Sequence, residues 1–225
     1  MSIADGLTQV RDRIARAAAA VGRTPEEVRL IAVSKTKPAS AIREAYDAGQ
    51  RDFGENYAQE LVSKAEELAD LVDLRWHFIG HLQSNKARFV ARVAHFIHTV
   101  DGPTLAREMG KRVAKEGRAT PLPVLVEVNG GGEPQKHGSS AADLGDVLAA
   151  VDAEKALRLR GLMTVPPNDM EGARRAFEAL ASLRGLHGGR TRLPELSMGM
   201  SDDLEVAVAC GSTMVRVGTA IFGSR

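Results

Sequence analysis

Lys35 closes an apolar run, Leu30-Ile31-Ala32-Val33-Ser34, and Thr36-Lys37-Pro38 follows it. Such a run ahead of a proline reads as a buried strand giving out into a loop. An ammonium there is costly to desolvate, and burial lowers its pKa. Lysines so placed act as nucleophiles that trap carbonyl compounds as Schiff bases. The bland alternative is a solvated lysine at a strand end. A second group of residues, near the other end of the chain, has the chemistry of an anion cup. Ser201 is expected to cap a helix starting at Asp202, so that its hydroxyl and the nearby N–H groups meet an anion. Gly218 lets the backbone approach a ligand closely, and Thr219 adds a hydroxyl and an amide. Each segment alone is also an ordinary turn. Asp202 and Asp203 favour a helix start, and they repel a phosphate unless their side chains turn away.

The elements that must position these groups are legible as short apolar runs. Candidate strands are Leu30–Ser34, Asp52–Gly54, Arg75–Ile79, Phe96–Val100, Val124–Asn129, Leu159–Met163, Glu195–Met198 and Met214–Val217. Helical patterns lie between them, at Ala39–Ala48, Tyr57–Leu71, Thr104–Glu116, Ala141–Val151, Met170–Leu183 and Asp202–Ala209. This alternation implies an α/β fold, a single (β/α)8 TIM barrel, with an open doubly wound sheet as the alternative. The 225 residues suit one such domain spanning 1–225, with an extra N-terminal helix. Side chains alternate along a strand, so Ile31, Val33 and Lys35 share a face, as do Met214, Arg216 and Gly218. Closure makes strand eight the neighbour of strand one and brings both groups to the C-terminal mouth, where such barrels keep their sites. A carbonyl-trapping lysine beside a phosphate cup suggests a phosphorylated aldehyde, and pyridoxal 5'-phosphate (PLP) is the obvious case. Arg216 is placed to meet its pyridine nitrogen, which an arginine would leave unprotonated and a poorer electron sink.

Composition narrows the classes further. Hydrophobic residues make up 44% of the chain, enough for a large core. Thirty basic residues against 29 acidic ones leave a net charge of +1, which argues against a nucleic-acid partner. Cys210 is the single cysteine, so no intrachain disulfide forms, as fits a reducing, cytoplasmic setting. No apolar stretch is long enough to span a membrane. Residues Met1–Val21 read as an amphipathic helix and not as a secretion signal. His77 and His81 straddle a strand end with no completing acid, so no metal site is expected. His95 and His98 read as packing or solvated, Lys86, Arg88 and Arg92 as a solvated helix face, and Cys210 as a core thiol.

Several longer motifs carry a resemblance. They are Ala32-Val33-Ser34-Lys35-Thr36-Lys37-Pro38, Phe53-Gly54-Glu55-Asn56-Tyr57, the run from Trp76 to Lys86, Gly161-Leu162-Met163, the run from Leu196 to Asp203, and the run from Gly211 to Gly223. In these the chain resembles the PLP homeostasis proteins, also called proline synthase co-transcribed homologues. Those are similar to the barrel domain of alanine racemase, the type III fold of PLP proteins. The resemblance implies that Lys35 is the Schiff-base lysine and that Ser201, Gly218 and Thr219 hold the phosphate. It implies that Arg216 meets the pyridine nitrogen and that Asn56 lies near the cofactor. It further implies a monomer that regulates PLP supply without established turnover, with apo PLP-dependent enzymes as partners and no nucleic acid or membrane. The loop Asn129–Gly138, with Lys136, is more glycine-rich than expected for the family.

Two other readings stay open. A racemase of this fold needs a second base opposite the lysine, and in alanine racemase a partner subunit's tyrosine supplies it. Here the chain is expected to stop soon after strand eight. Tyr46 falls on the outer side of a helix, and Tyr57 lies near the mouth without being placed as a base. A class I aldolase also uses a barrel lysine. It is colourless until substrate arrives, whereas a PLP-bound lysine absorbs in the visible.

Overall fold

Eight parallel strands close into a barrel in chain order. They are β1 Arg29–Val33, β2 Asp52–Glu55, β3 Arg75–Phe78, β4 Phe96–Val100, β5 Leu122–Glu127, β6 Leu157–Met163, β7 Glu195–Ser197 and β8 Met214–Val217. The computed structural model describes residues 2–130 and 137–223. The helices are α1 Ile3–Ala20, α2 Ala39–Asp47, α3 Ala58–Glu67, α4 Ala87–Val93, α5 Pro103–Lys115, α6 Leu144–Asp152, α7 Met170–Leu186, α8 Gly189–Arg192, α9 Leu204–Ala209 and α10 Thr219–Phe222. The expected barrel and its extra N-terminal helix are both present. No helix among the described residues is long and apolar enough to cross a membrane.

Closure is carried by β1 and β8, with Ile31 beside Arg216 and Ala32 beside Val217. The sequence alternation therefore sorts side chains as expected. Leu30, Ala32, Val215 and Val217 belong to the large apolar layer between strands and helices. Ile31, Phe96, Leu125, Met163 and Met214 form a separate small cluster inside the barrel. Polar side chains are buried there as well: His77, His98, Ser197 and Arg216.

Helix α1 is started by a reciprocal capping box between Ser2 and Asp5. Its apolar stripe, Leu7, Val10, Ile14, Ala17 and Ala18, is buried. The helix lies against α9, α10 and α2 and so covers the seam where β8 meets β1. A Cβ at Gly6 would fall 2.8 Å from the Ala220 carbonyl oxygen, so the crossing with α10 requires glycine.

Most element ends match the sequence pattern within two residues. β5 and β6 begin earlier than their apolar runs, because Leu122 and Pro123 already pair with Leu157 and Arg158. The helix expected from Asp202 starts instead at Leu204, with Asp203 in the N-cap position. Ser201 therefore does not cap it. It sits in the preceding turn, where its hydroxyl is not committed to a helix start.

Candidate functional site

Lys35, two residues beyond β1, shares one cavity of about 320 Å3 with Asn56, Ser201, Arg216, Gly218 and Thr219. The six residues singled out in the sequence thus converge at the C-terminal mouth. They come from the ends of β1, β2, β7 and β8, and the β8–β1 pairing unites the extremes of the chain.

The segment bearing Lys35 is held from below. Lys64 of α3 is buried and donates to the Ser34 carbonyl at 2.7 Å, to Glu55 Oε1 at 2.7 Å and to Glu60 Oε1 at 2.6 Å. Ser34 Oγ donates to Glu55 Oε1, and the Thr36 N–H donates to Glu60 Oε1. Both neighbours of Lys35 are therefore tied to one ionic cluster. Burial pushes the Glu55 carboxyl above the usual carboxylate range, against the pull of Lys64 and Ser34. Thr36 has φ +64°, a left-handed conformation uncommon for a non-glycine residue. Such strain persists only where surrounding bonds impose it. The second lysine of the motif is differently occupied: Lys37 Nζ donates to the carbonyls of Phe222 and Gly223.

Asn56 is positioned by a backbone contact. A Cβ at Gly80 would lie 2.1 Å from the Asn56 carbonyl oxygen, so only glycine lets the two loops meet. Asn56 Oδ1 is buried and has no hydrogen-bond partner. At Gly218 an added Cβ would lie 3.1 Å from the Val33 carbonyl oxygen, a tight approach at the end of the β8–β1 seam. Arg13 of α1 donates to the Ser201 carbonyl at 2.9 Å and holds Glu205 through two bonds, which ties the N-terminal helix to the cup. The two acids of the cup separate. Asp203 turns inward and accepts from the Met200 N–H at 2.6 Å, whereas Asp202 stays on the cavity lining.

Arg216 is 5% exposed. Its Nη1 donates to Ser197 Oγ at 2.8 Å and its Nη2 to the Thr164 carbonyl at 2.9 Å. Both acceptors are neutral, so the guanidinium charge is not cancelled by contact. Burial brings its pKa down to about 10, which still leaves it protonated at neutral pH. From Ser197 the contacts continue through the barrel. Ser197 Oγ meets His98 Nδ1 at 2.9 Å, His98 Nε2 meets His77 Nδ1 at 3.0 Å, and His77 Nε2 meets Asp52 Oδ1 at 2.8 Å. Asp52 is also gripped by Arg75.

His98 reads from the sequence as a packing or solvated residue and His77 only as half of a rejected metal pair, and the two are in fact the middle of this buried chain. Their period-two placement, at the inward positions of β3 and β4, was the available signal. Glu55 and Lys64 were likewise missed. Glu55 lies inside the Phe53–Tyr57 motif, and Lys64 falls four residues after Glu60 on the buried side of α3. Glu127 is a further buried acid at the end of β5, with Oε2 unpartnered. Burial, reinforced by the charge of Asp101, pushes its carboxyl up to about 7.

His81 does acquire an acid, which the sequence did not suggest: ligand atoms of His81, Asp101 and His137 lie within 4.8 Å of one another. The two imidazoles stack with centroids 3.6 Å apart and planes 9° apart. Their in-plane lone pairs then run side by side and do not converge on one ion. Tyr57 is 55% exposed and Tyr46 bonds Asp73 on the outer surface, so neither forms part of the cavity. Cys210, expected in the core, is half-buried at the end of α9. Arg88 and Arg92 of the basic group are exposed as expected, and Lys86 is half-buried. Lys136 and most of the glycine-rich loop lie outside the described residues.

A closed parallel barrel with a lysine just past its first strand defines a class. Residues 7–225 match the family described as alanine racemase, N-terminal domain. The chain belongs to the pyridoxal phosphate homeostasis protein branch of that class. It is 50% identical over 228 residues to the pyridoxal phosphate homeostasis protein of Escherichia coli K12, covering 99% of this chain and 97% of that protein. The protein of the same name from Pseudomonas aeruginosa is 48% identical over 226 residues, covering 100% of this chain and 96% of that one. Among solved structures, PipY of Synechococcus elongatus PCC7942 with PLP bound matches with TM-score 0.83 and 38% identity, over 99% of this chain and 100% of that one. Alanine racemase from Corynebacterium glutamicum shares the fold, with TM-score 0.69 and 18% identity over 99% of this chain and 62% of that one.

Proposed function

We propose that this chain binds PLP at the C-terminal mouth of the barrel and serves intracellular PLP homeostasis, without turnover of a substrate. The observation that carries this reading is the meeting of Lys35, Asn56, Ser201, Arg216, Gly218 and Thr219 in one cavity. Its size is at the lower end for small-ligand sites, typically about 300–1,000 Å3. The residues present fit the group. Asn56 lines the cavity, and its Oδ1 is an orphaned buried polar atom. Gly218, also on the lining, has no side chain to crowd the β8–β1 seam, where a Cβ would press on Val33. Bound PLP would supply an aldehyde, which the Lys35 amine holds as a Schiff base. The hydroxyls of Ser201 and Thr219 would take the phosphate, and Arg216 would face the pyridine nitrogen.

A carrier role is favoured over racemase-like catalysis because no tyrosine lines the cavity to act as a second base. Lys35 then works as a tether in a cytoplasmic monomer that gives PLP up to apo-enzymes. The test is spectroscopic. Lys35→Ala should abolish the visible band formed with PLP while keeping the far-UV circular dichroism of the wild type. A band that persists in Lys35→Ala would overturn the assignment. Presenting loaded protein to an apo-enzyme would then separate a carrier from a dead end.

A further inference from the structure

At the opposite end of the barrel the strand starts enclose a second hollow, of about 410 Å3. Four arginines line it: Arg29 of β1, Arg75 of β3, and Arg158 and Arg160 of β6. Its carboxylates are Asp52 of β2 and Glu195 of β7. Four guanidiniums against two carboxylates leave two positive charges facing one concavity. The two histidines on the lining do not add to this, since burial lowers the pKa of both His77 and His95.

The acids are already engaged. Asp52 accepts from Arg75 through both oxygens and from His77. Glu195 accepts from Arg160 and from the Thr213 hydroxyl. Arg75 and Arg160 are thereby held in fixed positions. The side chains of Arg29 and Arg158 make no hydrogen bond or ion pair with any described residue. A single unpaired arginine on a convex surface is simply solvated. Here two of them border a concave floor walled by two more, and like charges in a cleft focus the field on whatever enters.

We propose that this hollow is a second ligand site, one that takes a small phosphate on Arg29 and Arg158. The excess of two positive charges matches a dianion, and the guanidinium fork matches phosphate oxygens. The volume suits inorganic phosphate or a phosphate monoester and is small for a dinucleotide. The site lies at the far end of the barrel from Lys35 and does not depend on the cofactor reading.

The test uses the full chain and a readout that reports position, because phosphate also suits the cup at the mouth. The side-chain Nε–H signals of Arg29 and Arg158 are followed by NMR while inorganic phosphate is added at constant ionic strength. A parallel titration uses glycerol 3-phosphate. Saturable shifts of both signals are expected, with the tighter titrant identifying the free ion or the ester as the fitting ligand. In Arg158→Gln the Arg29 response should weaken by at least about tenfold, as the loss of a charge-assisted fork implies. Arg158→Lys, which keeps the charge and loses the fork, should fall between. Circular dichroism verifies that both variants fold. A non-saturating drift, the same shifts with chloride, or an unchanged Arg29 curve in Arg158→Gln would overturn the proposal.

Discussion

His77 and His98 share one hydrogen bond, Nδ1 to Nε2 at 3.0 Å, and its neighbours fix the tautomer of both rings. Asp52 is an acceptor held ionised by His77 and Arg75, with its carboxyl well below the usual range despite burial. His77 Nε2 must then carry the proton, which leaves Nδ1 to accept. His98 Nε2–H donates to it, His98 Nδ1 accepts from the Ser197 hydroxyl, and Ser197 Oγ accepts from Arg216. Every donor points from the mouth towards the far end, and both imidazoles are neutral. Arg216 is thus held by contact through an oriented chain of neutral groups that ends on Asp52, while Glu127 and Asp203 favour its charge through space. Its positive charge stays available at the mouth.

Burial holds the pKa of His77 below its usual value and that of His98 well below it. Between the folded and unfolded pKa the unfolded chain binds more protons, so stability is present above the unfolded value and is lost as pH falls. Each ring contributes a slope of about 1.4 kcal/mol per pH unit, starting near pH 6.5. His98→Gln keeps an acceptor and a donor and removes one titration. Urea unfolding at pH 7.5 and 5.5 should show the variant losing about 1.4 kcal/mol less over that interval than the wild type. Equal losses would mean that His98 is not held neutral.

The barrel and five of the mouth residues, Lys35, Ser201, Arg216, Gly218 and Thr219, are readable from local patterns: apolar runs, period-two alternation, helix-start composition, and glycine or proline punctuation. Asn56 comes only from the family resemblance. With β8 beside β1, Lys35 and Arg216 fall at one mouth. The supporting bonds were not readable, because they join residues on different elements. Nothing in Lys64 alone shows that its ammonium reaches back to the Ser34 carbonyl, or in His98 that it meets Ser197 across the barrel. Ser201 misled for a related reason. A serine before two aspartates has the composition of a helix cap, but Asp203 Oδ1 accepts from the Met200 N–H across a turn, and α9 starts beyond that turn at Leu204.

Arg216→Ala removes the donor to Ser197 Oγ and to the Thr164 carbonyl, leaving a buried acceptor without its partner. A cost of about 1–3 kcal/mol in unfolding free energy is expected. PLP should bind more weakly, by at least about tenfold if a charge-assisted bond is lost, yet the visible band should still form on Lys35. Absorbance titration separates the two effects. Wild-type affinity in the variant would remove Arg216 from the site.

Glu127 works in the opposite sense from the histidines. Its carboxyl is raised to about 7 by burial and by Asp101, so the folded state binds the proton more tightly than the unfolded chain does. Its contribution is fully present below the unfolded carboxylate range and is lost as pH rises towards 7. Glu127→Gln should therefore be more stable than the wild type at pH 8, by on the order of 2–3 kcal/mol, and nearly equal to it at pH 4.5. A gain of the same size at both pH values would assign the effect to packing.

Gly80 sets the Asn56 loop by contact alone. Gly80→Ala would put a methyl 2.1 Å from the Asn56 carbonyl oxygen, and the backbone must move to relieve it. Overpacking of this kind costs about 1–3 kcal/mol. Because Asn56 lines the cavity, the variant should also bind PLP more weakly even if it folds. Unchanged affinity together with lowered thermal stability would show that Asn56 does not contact the ligand.

Lys64 is the cation on which the Lys35 segment rests. Lys64→Met leaves Glu55, fully buried, facing Glu60 with no counter-charge, and it frees the Ser34 carbonyl. Breaking a buried pair from one side costs about 3–5 kcal/mol. Glu55 already sits above the usual carboxylate range, and without Lys64 it rises further. A raised folded pKa gives stability that is lost as pH rises, so the variant should be closer to the wild type at pH 5 than at pH 8. Adding Glu55→Gln should recover part of the loss at pH 8 and little at pH 5. With Ser34 released, the Lys35 amine is less well aimed, and the visible band should appear more slowly on mixing with PLP. Equal destabilisation at both pH values would place the loss in packing and would separate the ionic cluster from Lys35.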